Sequence, residues 1–545
     1  MKKITYLLSA AVATLSLFSC AKMLDSVEQL GALDTDKYYA DATDPQAEAL
    51  AVAMYNTAWD IIGDYGFESY TDNYVSSDPY KTVNNDGFGS STLYANLYKL
   101  NYQANLILEK LSDDSATKKR IIGEAYFMRG WAYFNLIRGW GTPPFVDHVM
   151  SADELAEVTN GNASELWELC TSSLQKAAEL LPAKSGLGGQ KAIGARVSKQ
   201  AAQAYLGKAY LYAGNKSAAA SALKQVIDSN AYKLVDNFSD LYSIKADWCD
   251  EYIWEYNADD SDVSQKASEV RIDFYSNWRG ETLVQPGGCH LSGFSQGYLQ
   301  TMPSKAYYDF MVAREGASNR RMGSVWSVEE AAQMFVTLSG DAYKGTPNYE
   351  GDNLAAMKAA HPGITDFQAG MRLLWTADMS LPSQGTMQGV LPAKVYMWCS
   401  DMYPATSTHD IYSMANFPVM RYADVLLLYA EAAGDVASLN KVRQRAGLAA
   451  LGAYSDAELR DERRAEFFGE GERFWDCIRW GIAANAFANV GKISYTTSAD
   501  PATYAVTISE APVDGWKGWE NKYTAFPYTT SELRQTSIKQ NAGWE

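Results

Sequence analysis

The sequence predicts a mostly α chain in which helical hairpins form a scaffold and a loop-rich region is inserted between two helical parts. Three observations predict it. Residues 196–232 read as a helical hairpin: Ala201, Ala204, Tyr205, Lys208, Ala209 and Leu211 lead into Gly214-Asn215, and Ala218, Leu223, Val226 and Ile227 follow at helical spacing. Small Ala residues where two helices touch, with a glycine turn between them, match a tetratricopeptide hairpin. One hairpin cannot bury its own face, so neighbouring copies are required. Segments 95–111, 119–138, 164–181 and Tyr422 to Gly447 supply them, without a strict 34-residue period, so the repeats are degenerate. Between about 240 and 415 helical periodicity fades, and Gly, Pro, Ser, Trp and Tyr punctuate short segments such as Gln285-Pro-Gly-Gly-Cys-His290 and Leu381-Pro-Ser-Gln-Gly385.

Taken in order, the chain opens with Lys2 and Lys3, then an apolar run from Ile4 to Phe18 that has the length of a signal peptide and is short for a membrane span. Leu17-Phe18-Ser19-Cys20 resembles a bacterial lipobox, where cleavage leaves Cys20 as a lipidated N terminus; Phe18 is bulkier than the usual occupant. Such a chain is anchored to a membrane rather than free. A helix over Ala125 to Ile137 stops at Gly139-Trp-Gly-Thr-Pro-Pro144, and Ser164 is placed to cap a helix that Pro182 follows. Near the C-terminus Ser455-Asp-Ala-Glu458 is a capping-box string, opening a helix through Phe468 that resumes at Arg473. The expected organisation is a signal peptide over 1–19, a helical region over 20–240, a loop-rich region over 241–415 and a helical region over 416–545.

Composition limits the function. The 545 residues carry a formal charge of −18, which repels nucleic acid and anionic lipid headgroups. Tyr is twice as frequent as Phe, and 13% of residues are aromatic, a composition that suits partly wet binding surfaces. Beyond Cys20 the cysteines 170, 249, 289, 399 and 477 are widely spaced and odd in number, so free thiols are expected rather than a disulfide framework or a zinc site. His148, His290, His361 and His409 are far apart, and no H-E-x-x-H, G-x-S-x-G or phosphate-binding string appears. No metal or cofactor is expected.

The most specific strings are Pro418-Val-Met-Arg421-Tyr-Ala-Asp-Val-Leu-Leu-Leu-Tyr-Ala-Glu431-Ala, Glu462-Arg-Arg-Ala-Glu466-Phe-Phe-Gly-Glu470-Gly-Glu-Arg473-Phe-Trp-Asp476-Cys-Ile-Arg479-Trp-Gly481, and the closing Phe526-Pro527 … Glu532-Leu533 with Gln540-Asn541-Ala-Gly543-Trp544. With Glu124-Ala-Tyr-Phe-Met-Arg129, they resemble the SusD/RagB family of outer-membrane nutrient-binding lipoproteins in order and spacing. The resemblance implies capture of a glycan, or in some members a peptide, at the cell surface, and delivery to a TonB-dependent barrel of the SusC type. It implies no catalysis.

Two carboxylates can cleave a glycosidic bond when they sit about 5–9 Å apart across a sugar. Glu462, Arg463, Glu466, Arg473, Asp476 and Arg479 instead alternate acids with arginines. Such pairing lowers carboxyl pKa values and removes the general acid a glycosidase needs, so these residues are expected to be structural ion pairs. A sugar site needs aromatic platforms beside amides and carboxylates. Two stretches combine them: Tyr65, Tyr70, Asp72, Asn73 and Tyr74, with Asp78 nearby; and Trp278, Arg279, Gln285, His290, Tyr298 and Trp326, with Trp375 and Trp398 further along. Asp72-Asn73 between Tyr70 and Tyr74 is the leading candidate. An extracellular glycosidase and a peptide-capturing lipoprotein of the same architecture are the alternatives.

Overall fold

The structure, a computed structural model, describes residues 35–62, 66–75, 78–89, 91–187, 196–257, 302–344, 349, 351–374, 388–394 and 415–545. Six long helices follow one another on the N-terminal side: α1 (Asp44–Ile62), α2 (Ser91–Lys110), α3 (Ala116–Trp140), α4 (Ala163–Leu180), α5 (Lys199–Tyr212) and α6 (Lys216–Asp228). Each packs on the next. The series continues after a long excursion, because α6 packs on α11 (Tyr422–Ala433) and α11 on α12 (Val436–Arg445). Stacked antiparallel hairpins of this kind bury a continuous face that no single hairpin could cover.

Local chemistry explains the helix ends. Ser115 accepts the Lys118 N–H, Ser198 the Ala201 N–H and Asn215 the Ala218 N–H, each satisfying a donor the first turn leaves open. Asn162, not Ser164, caps α4; its side chain accepts from the N–H groups of Ser164 and Glu165. Ala201, Ala204, Ala209 and Ala219 are fully buried where α5 and α6 meet. In α3, Gly130 lets α4 approach: a Cβ there would lie 2.6 Å from Leu174 Cγ and 3.0 Å from the Cys170 carbonyl.

The excursion leaves and returns on one antiparallel pair. Strand β2 (Tyr252–Tyr256) lies beside β6 (Phe417–Arg421), with Tyr252 opposite Arg421 and Tyr256 opposite Phe417. Within it the expected loss of helix is corrected. Helices α7 (Lys305–Glu315), α8 (Val328–Leu338), α9 (Gly351–Ala360) and α10 (Asp366–Leu374) occupy much of its described part. Helices α8, α9 and α10 and strands β4 (Val325–Ser327) and β5 (Val390–Pro392) share a separate hydrophobic cluster around Trp326, Phe335, Met357 and Leu374, whereas α7 packs Tyr307 and Met311 against Tyr74 and Phe468. A two-residue strand β1 (Tyr74–Val75) pairs with β3 (Met302–Pro303), tying the N-terminal side to the excursion. Beyond α12 come α13 (Asp456–Glu466), α14 (Glu472–Arg479) and the hairpin β7 (Ile493–Ala499) with β8 (Val506–Pro512).

The aromatic excess is spent largely inside. Tyr80 stacks on Tyr523, Phe88 on Trp544 and Phe67 on Phe526, at centroid separations of 4.8–5.5 Å. Trp140 donates its indole N–H to the Pro527 carbonyl. These contacts anchor the C-terminal tail against residues 66–89, with ring pairs adding to their area burial.

Candidate functional site

The acid–arginine string folds into a buried network. Glu462 meets Arg314 and Arg320, both at 2.6 Å, and Arg443 at 3.3 Å. Glu466 meets Arg320 and Arg421 at 3.0 Å, and also Arg445. Arg463 bridges Asp424 and Asp476, each at 2.7 Å, and Arg479 bridges Asp476 and Glu431 at 2.8 Å. Burial alone would raise the Glu466 carboxyl, but the guanidiniums of Arg445, Arg421 and Arg320 outweigh it and hold it well below the ordinary range. Asp476 is likewise held down against its burial by Arg463 and Arg479. Carboxylates fixed in their charged form cannot serve as a general acid near neutral pH.

Two arginines of the same helices reach the 66–75 segment. Arg473 grips Asp72 with both ends of its fork, at 2.9 and 3.0 Å, and Arg464 adds a contact at 3.1 Å. Burial works against the Asp72 charge, and the two guanidiniums overcome it, so its pKa is lowered. The Arg464 Nε donates to Asn73 Oδ1 at 2.8 Å. Ser304 closes the segment from the other side, donating its N–H to the Asn73 carbonyl and its hydroxyl to the Asp72 carbonyl. Asp72 and Asn73, the leading candidates for ligand contact, thus fasten a strap.

The candidate ligand residues therefore fall in different places. Asn73 is fully buried. Tyr74 is buried and stacked on Phe468 at 4.9 Å. Tyr70 is half-buried among Tyr80, Phe88 and Phe474. Trp326 lies in the smaller core with its indole N–H on the Met322 carbonyl, so it offers no platform. Asp78 is buried and accepts the Tyr80 and Lys517 N–H groups. Tyr65, Trp278, Arg279, Gln285, His290, Tyr298, Trp375 and Trp398 lie outside the described residues, as does Cys20.

Asp72 and Tyr74 do share a groove of about 580 Å³, within the 300–1,000 Å³ range of small-ligand sites. Its apolar lining comes from Val75, Ala306, Ala486, Val490 and Ile493, and its polar lining from Ser304, Lys305, Asp309, Gln388, Asn489, Lys492 and Glu510. Tyr495 completes one wall. Sequence reasoning missed the hairpin side of this site. The signal was available in Ile493-Ser-Tyr-Thr-Thr-Ser-Ala499, where alternate residues share a face.

Four described carboxyls, those of Glu68, Glu124, Glu255 and Glu532, are pushed up by burial, and all stand apart from the groove. Glu68, 1% exposed, rises to about 8 although it accepts the Gly471 N–H at 2.5 Å and feels Lys394. Glu255, buried beside Asn416, rises to about 7. Neither lines the groove. Cys170, Cys249 and Cys477 are free thiols, and no cluster of His, Cys, Asp and Glu suited to a metal exists among the described residues. Nor is any described helix long and apolar enough to cross a membrane.

Comparison with known proteins adds to this geometry. A family model described as the SusD family matches residues 250–544, and one described as "Starch-binding associating with outer membrane" matches residues 24–211. SusD-like protein P38 of Formosa agariphila is 25% identical over 533 residues, covering 90% of this chain and 93% of the relative. SusD-like protein P25 of the same organism is 21% identical over 545 residues with the same coverage. Among solved structures, a laminarin-binding SusD-like protein superposes with a TM-score of 0.67 at 21% identity, covering 92% of this chain and 99% of that one. Surface glycan-binding protein A from Bacteroides thetaiotaomicron, in complex with laminarihexaose, gives 0.63 at 20% identity, covering 92% of this chain and 100% of the other. Likenesses at such identities establish a shared fold.

Proposed function

This chain belongs to the SusD family, and from that premise we propose that it holds a glycan at the cell surface without cleaving it. The observation that carries this reading is the groove beside Asp72 and Tyr74, whose mixed lining offers apolar contacts for the C–H faces of a sugar ring and polar groups for its hydroxyls. C–H faces lie on the apolar lining; hydroxyls exchange water for the amides, carboxylates and ammoniums of the polar lining. The carboxyls support binding without hydrolysis: Asp72 is locked as an anion by Arg464 and Arg473, Asp309 is paired with Lys305, and the four described carboxyls with raised pKa values lie outside the groove. We further propose that Cys20 carries the lipid anchor in the outer membrane, facing outward. The cargo then passes to a TonB-dependent transporter of the SusC type. Tyr65, Trp278, Arg279 and Tyr298 are proposed as additional ligand contacts.

The test is affinity electrophoresis of the whole chain through a panel of polysaccharides, laminarin included, alongside Ala306→Trp. Ala306 is exposed in the groove lining, so an indole there fills the site without entering the core. Retardation by at least one glycan, abolished in Ala306→Trp, is expected. Reducing ends appearing during incubation would refute binding without cleavage.

A further inference from the structure

The β7–β8 hairpin has an inward face with two fates. Along β7, side chains at alternate positions point the same way. At its far end Thr497 and Ala499 are buried, and Ala499 joins the smaller hydrophobic cluster with Tyr504. At its near end the same face carries Ile493 and Tyr495, which among the described residues are only partly covered: both are half-exposed and line the groove. Glu510 sits directly across from Tyr495 in the ladder, so its carboxylate stands on the same side as the ring.

The charges around this ring nearly balance, four cationic groups against three carboxylates. Lys305 and Asp309 pair with each other at 2.7 Å on the opposite wall. Asp72 is held by Arg464 and Arg473 beneath the strap. Lys492, set over the Trp516 ring at 5.4 Å, and Glu510 remain, opposite in sign. A chain of net charge −18 thus presents a groove with no concentrated charge of either sign. A polyanion would meet the field of the whole protein with no cationic pocket to offset it. A basic peptide would find Asp72 and Asp309 already paired.

We infer that Tyr495 is the stacking platform of the groove, that Glu510 beside it accepts ligand hydroxyls, and that the ligand class is the uncharged oligosaccharide. This rests on the glycan-binding reading above and narrows it. Neither residue supports the core, so both can be replaced without unfolding the chain.

Titration calorimetry of the intact protein distinguishes the possibilities. The probes are a neutral glucan oligosaccharide series, a polyuronate, a sulfated galactan, and cationic and anionic peptides; each is run against wild type, Tyr495→Ala, Tyr495→Phe and Glu510→Ala. A neutral oligosaccharide should bind, Tyr495→Ala should weaken it about tenfold or more, and Tyr495→Phe, which keeps the ring face, should stay within about threefold. Glu510→Ala should weaken it about threefold to tenfold. Neutral-glycan binding insensitive to Tyr495→Ala would overturn the platform and leave the proposed function standing. Tighter binding of the uronate or sulfated chain, sensitive to Tyr495→Ala, would overturn the uncharged class alone. Binding of peptides only would overturn the glycan reading itself.

Discussion

Replacing Arg320 by Met should separate the excursion from the C-terminal helices more effectively than any other single change. Arg320 is fully buried, and its guanidinium joins three acids: Glu315 through Nε at 3.0 and 3.2 Å, Glu462 at 2.6 Å and Glu466 at 3.0 Å. The loss is unequal among them. Glu462 keeps Arg314 and Arg443, and Glu466 keeps Arg421 and Arg445. Glu315 keeps, among the described residues, only Arg314 at 4.0 Å and the Ser318 hydroxyl. A buried carboxylate stripped of its partner costs about 3–5 kcal/mol. Methionine fills most of the vacated stem volume, so the electrostatic loss should dominate over any cavity. Urea denaturation followed by tryptophan fluorescence, with hydrogen exchange over residues 302–344, reads the effect. Adding Glu315→Gln removes the orphaned charge and should recover about 1–3 kcal/mol. A loss under about 1 kcal/mol, or no recovery in the double variant, would refute the view that this network clamps the excursion.

Other consequences are equally open to measurement. Glu68 has a folded-state pKa of about 8 against an ordinary 4.5, so the fold binds more protons than the unfolded chain between those values. Its contribution is fully present below the unfolded value and lost as pH rises through about 8; Glu68→Gln should therefore flatten the stability–pH curve between pH 5 and 9 (on the order of pH units), and an unchanged slope would count against the burial argument. Gly130→Ala should destabilise the α3–α4 contact by about 1–3 kcal/mol, because the Cys170 carbonyl is backbone and cannot yield; thermal melts check it. Arg473→Met should loosen the 66–75 strap, raising its amide exchange and weakening glycan binding, while full affinity would show that the strap does not shape the groove.

Much of the helical scaffold was legible because its signals are local. The Ala-rich faces of α5 and α6, the Gly214 turn and the Ser455 cap need no tertiary information. The helices of the excursion were harder to see. Helices α9 and α10 have only ten and nine residues, too few turns for a period to stand out. Yet Ser327-Val-Glu-Glu330 forms a full capping box and would have announced α8 by the same rule that exposed Ser455-Asp-Ala-Glu458. For the site, Asp72 and Asn73 do lie outside any helix, although Tyr70 ends a short 3-10 helix (Gly66–Tyr70), and exposure did not follow from the absence of helix. Arg464 and Arg473 arrive from nearly 400 residues away in sequence, and only the fold brings them to Asp72. Tyr495 has the converse history, an alternating strand whose free end becomes visible once the cluster beneath its other end is located.

A crystal soaked with a neutral oligosaccharide that binds in solution offers the most direct test. Density for a sugar ring lying against the Tyr495 face at about 4 Å, with hydroxyls toward Glu510 and the Lys305–Asp309 pair, is the expected result. A sugar bound elsewhere on the surface, with the groove holding only solvent at saturating ligand, would contradict it.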